Sequence, residues 1–320
     1  MKDIAASTLR QQPIVIKLSE QNTFLKSIVY RLIKKHISGT TVNAAFKLTK
    51  NLNDKDMAAT ITFLNENVND TGKARYNLNS YMQLIKQISR LNLNASISVR
   101  MSQLGITLPN GIIEHNMLSL LTTAKSSHVN VWFEYEDALG LKGMVDLYRR
   151  YNELYDGIGV ELPLRHPRIE QAIGTLPKAA SVKLISHYHM NEPEESNKEK
   201  EKMKQKGHLD MYIDCINKLH ELKTKVHIQE ADEKTVYRLA RANKQYKRDL
   251  IFELPLGYSK RWQGKFIKEK MKVSVYVPYG KDWIPYAINK LTEGRIRELA
   301  VSILDGKANV GGGNEEPRKG

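Results

Sequence analysis

Apolar positions change their spacing along this chain, and the change marks its organisation. In "EQNTFLKSIVYRLIKKHI" (20–37), Phe24, Ile28 and Leu32 recur at helical spacing, which predicts a helix, and residues 42–52 predict a second. From residue 57 onward, short β-prone runs take over: 57–64, 94–101, 129–136, 156–164, 180–186, 225–231, 250–256 and 272–278. Segments long enough for helices lie between most of them, including 73–91, 111–126, 140–155 and 208–222. Strands alternating with helices predict parallel pairing. Eight such units over roughly 250 residues predict an α/β fold, a closed (βα)8 TIM-like barrel with two helices before it. An open doubly wound sheet would begin with a Gly-rich turn after its first strand, and "TITFLNENVND" has none. The expected organisation is an N-terminal helical segment over 1–56, a barrel over 57–305 and a disordered tail over 306–320.

Composition narrows the reading only slightly. Apolar residues make up 41 % of the chain, so a substantial core is expected. No uninterrupted apolar stretch reaches the length of a membrane span, and the N-terminus lacks the apolar centre of a signal peptide. With the single cysteine, Cys215, this fits a reducing cytoplasm. The formal net charge of +15 points towards anionic partners, but the positive residues are scattered. The densest run, "NKEKEKMKQK" (197–206), alternates with glutamates, and aromatics do not interleave with lysines. A solvated basic surface is expected rather than a nucleic-acid site, with peripheral contact to acidic lipid headgroups left open.

In a barrel of this kind, chemistry sits at the C-terminal strand ends. Those ends carry Glu66 on the first strand, Arg100 and Gln103 on the second, and Glu134, Glu136 and Asp137 on the third. The fourth gives Glu161, Arg165 and Arg168, and the fifth Ser186, His187 and His189. Glu230 and Asp232 follow the sixth, and Tyr279, Lys281 and Asp282 the eighth. Glu134, Glu136 and Asp137 with Arg100 form either a charged cluster in the mouth or a structural ion pair between neighbouring strands. His187, His189 and His227 lack tight ligand spacing, so no metal site is expected. Trp132, Trp262 and Phe266 are expected in helix–sheet packing. In "VYVPYGKDW", Pro278 is expected to end the last strand and Gly280 to supply a backbone geometry other residues resist.

At these strand ends the sequence resembles the proline dehydrogenases, especially the short monofunctional form of Gram-positive bacteria, from about residue 21 to 293. "VYVPYGKDWIPY" (275–286) looks like that family's passage from the eighth strand into the eighth helix. "ISVRMSQLGI" (97–106) is similar to its second strand, with Arg100 where lysine is usual. "VWFEYEDA" (131–138) is similar to its third, with Glu134 for aspartate, and "IGVELPLRHPR" (158–168) to its fourth. "LNDKDMAATITFLNENV" (52–68) looks like its first, with Thr62 for aspartate. The resemblance implies a (βα)8 flavoenzyme that oxidises L-proline to pyrroline-5-carboxylate with FAD. It implies catalytic positions at Arg100, Tyr286 and Lys290, and substrate-binding positions at Tyr286, Asn289 and Lys290. The cofactor positions it implies are Glu136, Arg168, Ser186, His187 and Glu230.

Several of those positions depart from the family pattern. "SHYH" (186–189) stands where a basic residue and a Gly-Ala-Tyr turn are usual. Glu230–Ala231 replaces a Thr-His pair, and Asn289–Lys290 replaces two adjacent arginines that clamp the substrate carboxylate. A guanidinium pair holds a carboxylate bidentately in a way that one ammonium cannot. Two functions follow as alternatives. One is flavin-dependent oxidation of proline or a related small amino acid. The other is a non-catalytic relative, a pseudoenzyme acting as a sensor or interaction module.

Overall fold

The structure, a computed structural model, describes residues 23–65, 68–109, 111–186, 207–230, 232–246, 249–257 and 260–287. They fall in two compact units, Lys34–Trp283 and the chain on either side of it. In the second unit the described residues form helix α1 (Thr23–Ile33) and a helical turn over 284–287.

In the first unit, helix α2 (Val42–Asn53) leads into β1 (Ala58–Phe63). Then follow α3 (Thr71–Arg90), β2 (Ala95–Val99), a 3-10 turn (Met101–Leu104), α4 (Ile112–Ser126) and β3 (Val131–Phe133). Next come α5 (Gly140–Asn152), β4 (Ile158–Pro163), α6 (Ile169–Gly174) and β5 (Ser181–Ile185). The chain continues with α7 (His208–Glu221), β6 (Lys225–Gln229), α8 (Glu233–Tyr246), β7 (Leu250–Pro255), α9 (Lys260–Lys268) and β8 (Lys272–Tyr279). The eight strands pair in parallel and in chain order, and β1 pairs with β8 to close the barrel. This is the barrel the sequence predicts. Two details differ from expectation. β1 ends at Phe63 rather than near Glu66, which lies outside the described residues. β8 continues one residue past Pro278, because the Pro278 carbonyl is held by the Ser38 N–H at 2.8 Å while Phe63 still pairs with Tyr279.

Alternation along each strand sends one set of side chains outward to the helices and the other into the lumen. The outward set is apolar: Ile61, Ile97, Val131, Val160, Val182, Ile228, Phe252 and Val275 are buried in the core. Helix α3 answers with Leu78, Tyr81, Ile85 and Ile88, a stripe at helical spacing. Asp70 caps that helix by accepting from the Lys73 N–H at 2.9 Å.

Helix-to-strand turns repeat one geometry. At Asp56, Asn92, His128, Lys223 and Lys270 the backbone is left-handed. After each, the next N–H reaches back to a carbonyl five residues earlier, as in Thr224 to Leu219 and Met271 to Phe266. At the opposite end, Gly280 has φ of 148°, and a Cβ there would lie 2.3 Å from the Leu64 carbonyl oxygen. That position therefore requires glycine. Among the described residues no helix is long and apolar enough to cross a membrane.

Candidate active site

The lumen is polar, and its side chains meet both between neighbouring strands and across strands that are not neighbours. On the floor, the Lys183 ammonium from β5 donates to Glu253 of β7 at 2.7 Å and to Glu161 of β4 at 3.1 Å. Thr60 of β1 donates to the other Glu253 oxygen at 2.5 Å, and Gln229 of β6 adds a bond at 3.0 Å. Lys183 is 0 % exposed. Burial alone would lower its pKa, but Glu253 and Glu161 outweigh that and raise it, so the ammonium is retained. Burial pushes Glu161 up to about 7; Lys183 pulls the other way, and the charges of Glu134 and Glu253 add to the rise.

Trp132 belongs to this interior. Its ring lies 4.7 Å from the Lys183 ammonium, a cation–π contact, and 4.4 Å from the His227 ring. The expectation of helix–sheet packing is corrected for Trp132: alternation places Val131 and Phe133 outward and turns the tryptophan in, over Gly159, where a Cβ would meet the ring at 2.3 Å. Phe266 does pack in the helix–sheet core, and the Trp262 side chain lies outside the described residues. His227 also faces in. Burial, Lys183 and Lys225 lower its pKa to about 3, which keeps it neutral, and its Nδ1 is buried without a hydrogen-bond partner.

Towards the C-terminal end a second cluster forms the mouth. Arg100 Nε donates to Glu134 at 2.8 Å, and the Tyr276 hydroxyl from β8 donates to its other oxygen at 2.7 Å. Burial would raise the Glu134 pKa, but Arg100 and Tyr276 reverse this and lower it, so the carboxylate is ionised. Its side chain is 6 % exposed, while that of Arg100 is 27 % exposed. The ion pair foreseen between the second and third strands is therefore present, and a tyrosine from the far wall completes it.

The other sequence-predicted residues lie around the rim. Glu136 accepts from the Ser102 N–H at 2.9 Å and from its hydroxyl, fixing the turn after β2. Burial raises its pKa, and the Ser102 bonds reduce that rise. Arg168 is exposed at the start of α6, its N–H donating to His166 Nδ1 at 3.1 Å. Ser186 joins β5 to β6 through its N–H and the Gln229 carbonyl. Glu230, 1 % exposed, accepts from His208 Nε2 at 2.7 Å, the Tyr212 hydroxyl at 3.3 Å and the Asp232 N–H at 2.8 Å. Burial and then Glu230 itself hold the Tyr212 phenol well above its usual pKa, so it remains a donor. Tyr286 belongs to the helical turn of the second unit. His187, Asn289 and Lys290 lie outside the described residues. Gln103 stays outside the lumen: it links the Phe63 carbonyl, at 2.7 Å, to the Tyr81 hydroxyl, also at 2.7 Å.

Lys183, Glu253, Gln229 and Tyr276 were not singled out from the sequence. One signal for them was available. β4 and β7 share the tetrad "ELPL" (161–164 and 253–256), which sets at equivalent lumen positions the two glutamates that Lys183 meets.

A closed parallel barrel with a charged lumen and an ion-paired mouth is the class of protein these features define. Comparison with known proteins gives the class its relatives, although no family model matches the chain. It is 25 % identical over 264 residues to proline dehydrogenase 2 of Bacillus subtilis strain 168, covering 81 % of this chain and 85 % of that one. To proline dehydrogenase 1 of the same organism it is 23 % identical over 289 residues, covering 88 % and 94 %. Among solved structures, proline utilization A (PutA) from Bdellovibrio bacteriovorus, inactivated by N-propargylglycine, superposes with a TM-score of 0.68 at 16 % identity, over 89 % of this chain and 35 % of that one. PutA from Corynebacterium freiburgense gives a TM-score of 0.64 at 15 % identity, covering 91 % and 34 %. The chain thus spans about a third of the length of the PutA structures and most of the length of its curated relatives. It is a proline dehydrogenase-like (βα)8 barrel.

The cofactor that this likeness implies is FAD, and the described residues fit it poorly. Among them, the buried lumen cation is already engaged: Lys183 is held by Glu161 and Glu253 and is sealed from solvent. At the end of β6, where the resemblance places a neutral Thr-His pair against the flavin, Glu230 sets a buried carboxylate whose oxygens are held by the protein's own donors. A carboxyl group whose oxygens are already engaged offers the cofactor no donor in place of that neutral pair.

Proposed function

We propose that this proline dehydrogenase-like barrel binds a small amino-acid carboxylate at its mouth, beside Arg100, Glu134 and Tyr276, and does not carry out ordinary flavin-linked oxidation of proline. The observation that carries the reading is Glu230: buried, and held by His208, Tyr212 and the Asp232 N–H at a rim position the resemblance gives to the flavin. Arg100 supplies the attraction for the carboxylate, since its side chain is 27 % exposed while its Nε donates to Glu134, itself held by Tyr276. The resemblance adds Tyr286, Asn289 and Lys290 as substrate positions, with one ammonium replacing two guanidinium groups. In this reading the chain is a non-catalytic relative, a sensor of a small amino acid, and its partner is a small molecule rather than nucleic acid.

The second reading, a flavin-dependent oxidoreductase acting on proline or a related small amino acid, is favoured by the Arg100–Glu134–Tyr276 cluster, which falls in the passages that resemble the family's second, third and eighth strands. A dye-reduction assay with L-proline and added FAD separates the two. The proposal expects no turnover above the protein-free rate, and turnover at an ordinary enzyme rate would overturn it.

A further inference from the structure

We propose that the lumen takes up a proton at Glu161 when a carboxylate anion binds at the mouth, so that ligand affinity is tied to pH. The inference rests on the carboxylate-binding reading given above and adds its regulation.

The argument begins with a charge count. Below the rim, where Glu136 is held by Ser102, the salt-bridged groups of the lumen among the described residues are Arg100 and Lys183 as cations and Glu134, Glu161 and Glu253 as carboxylates. Fully ionised, it would carry one uncompensated negative charge in a buried space, which is costly. One carboxylate is therefore poised to hold a proton, and hydrogen-bond geometry selects which. Glu134 has the Arg100 guanidinium at 2.8 Å and the Tyr276 hydroxyl at 2.7 Å. Glu253 has Lys183 at 2.7 Å, Thr60 at 2.5 Å and Gln229 at 3.0 Å. Glu161 has the weakest set: Lys183 at 3.1 Å and the Tyr135 backbone N–H at 3.3 Å. The shift of Glu161 towards neutral pH agrees with this choice.

The same two contacts tie Glu161 to the mouth. One oxygen meets Lys183, and the other meets the N–H of Tyr135, the residue after Glu134. The charged and titratable groups around it are Glu134 just after β3, Lys183 from β5, Glu253 from β7 and, beyond Lys183, neutral His227 from β6. Lys225, at the start of β6, is exposed to solvent. An anion docked at Arg100 adds negative charge to this set and draws part of the guanidinium field away from Glu134. Both effects favour protonation of Glu161. The event is a proton transfer from solvent to a Glu161 carboxylate oxygen and needs no other reactant.

Calorimetry with L-proline tests it, using the full chain at pH 7 in phosphate and in Tris, whose ionisation heats differ. The expected result is a buffer-dependent heat corresponding to uptake on the order of 0.5 proton per ligand, and affinity that weakens as pH rises from about 6 to 8. In E161Q the buffer dependence should vanish. Equal heats in the two buffers, or a dependence that persists in E161Q, would overturn the proton linkage while leaving carboxylate binding intact. Absence of any heat of binding in both buffers would overturn the mouth reading and the linkage with it. The pH profile of the unaltered protein keeps the test decisive even if the variant folds poorly.

Discussion

The floor and the mouth of this barrel are made of the same groups, a cation set against carboxylates, yet they sit in different surroundings. On the floor, Lys183 is sealed at 0 % exposure between two glutamates and over the Trp132 ring. At the mouth, Arg100 keeps 27 % of its side chain exposed, and its carboxylate partner carries a second donor, Tyr276. A sealed cation can only hold strands together. One that reaches solvent while its direction is fixed can also receive a ligand. The difference lies in access rather than in composition, and it separates the part of the lumen that holds the barrel together from the part proposed to receive a ligand.

The largest expected effect breaks the floor. Lys183→Met leaves Glu161 and Glu253 buried without their cation and should cost about 3–5 kcal/mol at pH 7, read from urea unfolding. The loss should shrink towards pH 5 as Glu161 takes up a proton. Next comes Glu161 itself. Its folded pKa of about 7 lies above that of an unfolded glutamate, so the folded state binds more protons than the unfolded one between those values. Stability from this group is therefore lost as pH rises from about 4.5 to 7, by on the order of 3 kcal/mol, and Glu161→Gln should flatten that part of the pH–stability curve. The smallest effect on stability belongs to the mouth. Arg100→Ala should cost about 1–2 kcal/mol, because Glu134 keeps Tyr276 and water can reach the vacated space. The same variant should lose binding of L-proline by calorimetry. A larger destabilisation by Arg100→Ala than by Lys183→Met would reverse the assignment of roles.

The barrel was legible because its outward faces are apolar and regular: Ile61, Ile97, Val160, Val182 and Val275 mark strands regardless of what faces inward. The lumen was harder. In "SVKLI" a lysine between apolar neighbours has the look of the solvent side of a half-exposed strand, although both faces of a closed parallel sheet are covered. Trp132 was misplaced for the converse reason, since a bulky aromatic is ordinarily assigned to the apolar face. Glu134 and Arg100 were legible because strand ends face the mouth. Tyr276 was not, because it reaches Glu134 from β8 across 142 residues of sequence. The environment of Glu230 depends on His208 and Tyr212 from α7, and no local spacing announces that meeting.

The central claim is that this barrel keeps the proline dehydrogenase-like frame without the flavin. The direct measurement is the visible absorbance of the purified full-length protein after incubation with excess FAD and removal of the unbound cofactor. The account predicts a protein left with little or no flavin absorbance, because the Glu230 carboxylate stands at the rim and Lys183 is sealed between its two glutamates. Retention of one FAD per chain would contradict it.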